Sequence, residues 1–201
     1  MKTVLIVYLV IILSGCSSLM VSNLGEAPKI DANSISIIDK RTPEQKESRR
    51  DSVLAPLAVL GDENVQPPAM LFLQGALQKN QKTAPLLKLE VHEFYVIDFF
   101  PKRLRAGTRQ GGWLTDAITE NVIRSKTDWN IVNSSGVPAD GDSIVCLFAG
   151  TANGKPVKVT AFSQYFASPM AVSIRNDQAF TNAVKRAIDE TAKEILRKVE
   201  N

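Results

Sequence analysis

The chain has 201 residues, of which 44% are hydrophobic and 22% charged, with a formal net charge of +3. That composition is globular and excludes a disordered chain, a collagen and a coiled-coil rod. The small positive excess gives no whole-molecule argument for nucleic-acid binding. One histidine and two cysteines leave little material for a metal cage or a disulfide framework.

Met1, Lys2 and Thr3 make a short, positively charged start, and residues 4–13 (VLIVYLVIIL) are an unbroken apolar run. As a helix that run is about 15 Å long, too short for a bilayer core of roughly 30 Å. It suits the hydrophobic region of a secretory signal. Leu13, Ser14, Gly15 and Cys16 follow. A leucine, two small residues and a cysteine resemble the bacterial lipobox, which implies acylation of Cys16 and removal of residues 1–15. Small side chains at Ser14 and Gly15 let a peptidase approach the backbone. The alternative is an uncleaved anchor continuing through Met20 and Val21, and the polar break at residues 14–18 argues against it. Several acyl chains hold a protein stably where one gives only marginal binding. By resemblance to such lipoproteins, Ser17 in place of Asp after the cysteine implies the outer membrane, with the domain facing the periplasm. Once Cys16 carries lipid, Cys146 is the one remaining thiol. Its apolar, strand-like surroundings (residues 144–148, IVCLF) predict a buried structural cysteine.

Residues 16–33 lack periodicity and read as the lipidated cysteine plus a flexible tether. A single domain over residues 34–201 follows. Residues 34–39 (SISIID) alternate as a strand does. Residues 40–51 are charge-rich and read as a solvated loop, and residues 53–60, interrupted by Pro56, as a short strand or a buried loop. Pro67 and Pro68 lead into a helix over residues 69–79, with Met70, Leu73 and Leu77 on one face and Asn80 as its stop. Residues 86–100 (LLKLEVHEFYVIDFF) predict a strand whose phase shifts near Glu93, as at a bulge or in a strand buried on both faces. A basic, glycine-rich loop is expected over residues 102–112, a helix over 114–126, a short strand over 128–132, and turns over 133–142. Residues 143–152 and 156–166 flank Asn153-Gly154-Lys155, a strong hairpin signal. In the last helix Phe180, Val184, Ala187, Ile188, Thr191, Ile195 and Val199 recur at helical spacing, widened by Ala183, Ala192 and Leu196. Asn176 suits its N-cap, while Asp177 at one end and Arg197 and Lys198 at the other suit its dipole. Mixed elements without regular βαβ repetition predict an α+β fold, a largely antiparallel sheet with helices on one face.

The lipobox, residues 34–41 (SISIIDKR), the helix after Pro67, the strand at 87–99, the Asn153-Gly154 hairpin and the C-terminal helix occur in the order seen in YajG-like bacterial envelope lipoproteins. The string resembles that family over most of residues 34–199, departing at roughly 105–133. The family offers no catalytic residue to carry over. Its domain is similar to those of envelope accessory lipoproteins, including activators of peptidoglycan synthases and auxiliary subunits of lipid-transport systems.

His92 is the only imidazole a hydrolase would have as base. Ser163 or Cys146 would be its partner and Asp98 the orienting acid, but none sits in a G-x-S-x-G context. Glu90 with Asp98, or Asp140 with Asp142, are the available carboxylate pairs. Asp140-Gly141-Asp142 lacks the glutamate an EF-hand needs. Lys102, Arg103, Arg105 and Arg109, with Gly107, Gly111 and Gly112, form an anion- or partner-binding candidate whose alternative is a solvated loop. No Walker pattern follows. Phe99, Phe100 and Trp113 are either interface anchors or core. The reading is a non-enzymatic envelope lipoprotein without cofactor, metal or nucleic acid. It is held to the bilayer by Cys16 and acts on an envelope protein partner or on a second copy of itself. The alternative is an auxiliary lipid-binding component, which needs an apolar groove between helix and sheet.

Overall fold

The computed structural model describes residues 22–31, 33–49, 57–81, 86–99, 142–165 and 177–200. The signal region with Cys16, the basic loop at 102–112, the helix at 114–126, the strand at 128–132, the turns up to residue 141 and the N-cap Asn176 therefore lie outside the described residues. Chain order is β1 (Ser22–Asn23), β2 (Ile35–Asp39), α1 (Pro43–Lys46), β3 (Leu57–Leu60), a 3-10 turn (Asp62–Asn64), β4 (Val65–Gln66), α2 (Ala69–Asn80), β5 (Leu87–Phe99), β6 (Asp142–Ala152), β7 (Lys155–Tyr165) and α3 (Asp177–Glu200). The architecture is α+β with a mostly antiparallel sheet, as the sequence predicts.

Strand β5 is the template of the sheet. Along one edge it pairs antiparallel with β6, and β6 pairs with β7 through the hairpin. Asn153 (φ 50°) and Gly154 (φ 80°) supply the left-handed backbone that this tight turn requires. Two strands share the other edge of β5 end to end. Strand β2 pairs parallel with Leu87–Val91, and β3 pairs antiparallel with Phe99–Val96. A parallel pair needs a crossover, and the chain between β2 and β5 provides it with α2 as its principal helix. The expected phase shift is real: a bulge lies between Val91 and Glu93. It puts Leu87, Leu89 and Val91 on the same face as Phe94, Val96 and Asp98.

That face carries the main core. From α3, Ala183, Val184, Ala187, Ile188, Ala192 and Ile195 are fully buried, and from α2 so are Leu73 and Leu77. They meet Ile144, Cys146 and Phe148 of β6 and Val157 and Val159 of β7 in one cluster. Each buried Val, Leu or Ile among them stabilises the fold by roughly 1.5–3 kcal/mol. A smaller cluster, Val59, Ile97, Phe99 and Val145, lies on the opposite face, so Phe99 is a core residue.

Two expectations need correction. Residues 40–51 are not simply a solvated loop. Arg41 is buried, and Pro43–Lys46 form a short helix whose Gln45 side chain accepts from the Thr42 N–H at 2.8 Å. More consequentially, residues 22–31 of the expected tether pack on the domain. Strand β1 pairs parallel with β4, Leu24 donates its N–H to the Gln66 carbonyl and is 2% exposed, and Ser22 hydroxyl bonds Thr181 at 3.0 Å. Pro28 sits on Gly75 of α2, where a Cβ would come within 2.6 Å of its Cγ. A glycine inside a helix costs about 1 kcal/mol against alanine; here it makes room for the incoming chain. Further on, Asp31 N–H donates to Gln78 Oε1 at 2.9 Å.

Candidate functional site

The residues a hydrolase would use are dispersed. His92 lies at the β5 bulge, half exposed, with Nε2 4.0 Å from Glu90. Asp98 is six residues further along β5, roughly 20 Å away at strand rise. It is fully buried and accepts a hydrogen bond from the Tyr165 hydroxyl. Tyr165 in turn packs edge-on against Phe180, ring centroids 5.5 Å apart. Ser163 accepts from Arg186 Nε at 2.9 Å. It lies across β6 from Asp98, because both pair with Ile144; that is about 10 Å at the usual strand spacing. Cys146 is fully buried, and burial, opposed by a hydrogen bond with Thr191, pushes its thiol up to about 12. Burial there disfavours the thiolate that a nucleophile needs.

The carboxylate pairs fare no better. Glu90 ion-pairs with Lys40 at 2.7 Å on the surface, and this partner holds its carboxyl below the ordinary glutamate range. Asp98 is eight residues from it on the same strand. Asp142 is buried and Asp140 lies outside the described residues. Among the described residues no cluster of three His, Cys, Asp or Glu side chains is placed to hold a metal ion. Lys102, Arg103, Arg105 and Arg109 are not among the described residues, nor are Phe100 and Trp113.

The structure instead brings together a charged cluster that the sequence reading missed. Between the end of β2 at Val91 and the end of β3 at Val96, the edge of β5 is unpaired by strand, and Arg41 fills the gap. Its side chain is 3% exposed. Nε and Nη2 grip the two oxygens of Asp39 at 3.0 and 3.1 Å, Nη2 reaches Asp62 Oδ2 at 3.1 Å, and Nη1 donates to the Phe94 carbonyl at 3.4 Å. Lys46 adds a contact to Asp39 at 3.2 Å. Burial alone would raise the Asp39 carboxyl. Hydrogen bonds from the side chain and backbone of Arg41 and from Lys46 outweigh it and hold the group below the ordinary aspartate range. Burial likewise opposes the Arg41 charge, and Asp39 and Asp62 overcome it, so this cation stays charged. A planar fork with several fixed donors is what such a gap requires. The signal was present in phase: Arg41 continues the odd-numbered alternation of Ile35, Ile37 and Asp39.

A shallow groove of about 270 Å³ lies on the sheet face opposite the helices. Val59, Tyr95, Ile97 and Leu147 floor it, with Glu93 and Lys158 at its rim. It is smaller than the roughly 300–1,000 Å³ of ordinary small-molecule pockets. It is also not the groove between helix and sheet that a lipid carrier would need, because the side chains described there are packed together and buried. Among the described residues no helix is long and apolar enough to cross a membrane. Comparison of the chain with family models, with curated proteins and with solved structures gives no match.

Proposed function

We propose that the chain is a bacterial envelope lipoprotein whose α+β domain works as a non-enzymatic binding or accessory module beside the outer membrane, on its periplasmic side. The observation that carries this is the order Lys2, apolar residues 4–13, then Ser14-Gly15-Cys16. The scatter of His92, Asp98, Ser163 and Cys146 supports a binding role over hydrolysis, since a nucleophile and its base must lie within hydrogen-bond reach. The part of the sheet face opposite the helices where Tyr95 and Leu147 are partly exposed is the surface we assign to an envelope protein partner or a second copy.

Two measurements test this reading. Replacing residues 1–16 with a cleavable secretory leader that lacks the cysteine moves the domain from the membrane fraction to the soluble periplasm. Photo-crosslinkers placed at Tyr95 and Leu147 in intact cells give a discrete adduct that weakens when the anchor is removed. Membrane retention without Cys16, or only a diffuse smear of adducts, contradicts the assignment. The alternative, an auxiliary lipid-binding component, is favoured instead if lipid co-purifies with the domain after the anchor has been removed.

A further inference from the structure

Among the described residues the sheet ends at β7, which pairs with β6 along one side. The hairpin fixes where the main-chain groups of β7 point. Ala152 pairs with Lys155 across the two-residue Asn153-Gly154 turn, and the pair that closes such a turn exchanges both of its hydrogen bonds. Pairing then runs without a register shift to Asp142 and Tyr165. Odd-numbered residues of β7 therefore direct their N–H and C=O groups at β6. Pro156, Lys158, Thr160, Phe162 and Gln164 direct theirs outward, along the last edge of the sheet.

A row of outward N–H and C=O groups is a template for another strand. Here the row is interrupted. Pro156 has no N–H to offer. The Lys158 carbonyl accepts from Lys198 Nζ at 2.7 Å, and the Gln164 carbonyl accepts from Arg186 Nη2 at 3.2 Å. Both carbonyls belong to the outward set, as the hairpin phase requires. Arg186 is held in place by its Nε, which donates to Ser163 Oγ at 2.9 Å. Between the two cations only Thr160 to Phe162 remains, about 7 Å of strand at the usual rise. Lys158 to Gln164 would offer about 20 Å, the length of an ordinary strand. The side chains in the short window are exposed, Phe162 at 38%.

Without the two cations the edge is self-complementary. Antiparallel pairing of two β7 strands about a two-fold axis at Ala161 sets Thr160 opposite the partner's Phe162, and the symmetry repeats that contact. An aromatic residue opposite a β-branched one is a favourable cross-strand pair. The same register sets Lys158 opposite the partner's Gln164, so the lysines are kept apart. It also needs both of the carbonyls that Lys198 and Arg186 occupy.

We infer that Arg186 and Lys198 guard the outer edge of β7, keeping a second copy of this chain from adding its own β7 there. The guard is an autoinhibitory contact: α3 supplies the two donors that a second strand would otherwise bring. It concerns the edge of the sheet, not the face at Tyr95 and Leu147, and it does not depend on acylation of Cys16.

Sedimentation of the full chain in detergent micelles, over a range of protein concentrations, tests it. Arg186→Met with Lys198→Met removes both donors and keeps much of each aliphatic stem. Both positions are exposed, so the core is untouched. Each copy recovers two main-chain acceptors, and self-association tightens roughly 10–100-fold over wild type. Thr160→Pro added to that pair removes an outward N–H and nothing that β6 uses, and it returns association to the wild-type level. Lys198→Met alone gives a smaller gain in the same direction, so the test survives if the double variant does not fold. A folded variant that associates no more tightly than wild type overturns the guard, and so does a gain that Thr160→Pro leaves in place.

Discussion

Arg41→Met removes the guanidinium that bridges the gap between β2 and β3. It leaves the Asp39 and Asp62 carboxylates near each other without their shared cation, and the Phe94 carbonyl without that donor. Removing one partner from a buried charge cluster costs about 3–5 kcal/mol. The carboxylates here are 27% and 31% exposed. Solvent screening therefore lowers the expectation to roughly 2–4 kcal/mol. At this chain length each kcal/mol lowers the melting temperature by about 2–4 °C, so a fall of roughly 4–16 °C follows. Arg41→Lys keeps a charge but not the fork, and about half the loss remains. The pH dependence has a definite sign. The Asp39 carboxyl is depressed in the folded protein, so its contribution is present above the unfolded value of about 4 and is lost as pH falls through the folded one. Arg41 stays protonated throughout. Calorimetry of wild type and Arg41→Met at pH 7 and at pH 3 is the assay. The gap between them narrows at pH 3. A cost below about 0.5 kcal/mol at pH 7, the range of an ordinary surface change, or a gap that does not narrow in acid, refutes the reasoning.

Tyr165→Phe deletes the hydroxyl that donates to the buried Asp98 carboxyl, and urea melts show a loss of about 1.5–3 kcal/mol; an unchanged midpoint contradicts that pairing. Cys146, with its thiol pushed up to about 12 by burial, reacts with iodoacetamide at neutral pH only as fast as the domain unfolds; rapid alkylation of the native domain refutes its placement. His92→Ala, at a half-exposed position, changes stability by less than about 0.5 kcal/mol; a larger loss shows a structural role that the surface pair with Glu90 does not supply.

What could be read before the structure was what depends on local pattern. The α3 stripe, from Phe180 to Val199, is a 3.6-residue repeat that must be buried whatever lies beneath it. The hairpin is written in Asn153-Gly154. The phase slip near Glu93 marks the bulge because a single extra residue inverts the alternation of a strand. The remainder depends on pairing between distant segments. Nothing local says that Ile35 lies beside Leu87 in parallel, or that β3 completes the same edge. Arg41 looks solvated within a charged run, since only the gap in the edge of β5 makes a buried guanidinium favourable. The docking of residues 22–31 was missed for a related reason. Residues 22–31 have no periodicity of their own, and they are ordered by features supplied elsewhere: the edge of β4, the space above Gly75 and the hydroxyl of Thr181.

The claim beneath all of this is that Cys16 is the mature first residue and carries lipid. Intact mass spectrometry of the protein extracted from membranes, with sequencing of its N-terminal peptide, tests it directly. The account predicts a chain that begins at Cys16 and is heavier than residues 16–201 by a diacylglyceryl group, with or without an N-terminal acyl chain. A mature chain that starts elsewhere, or one of unmodified mass recovered from the aqueous fraction, contradicts it.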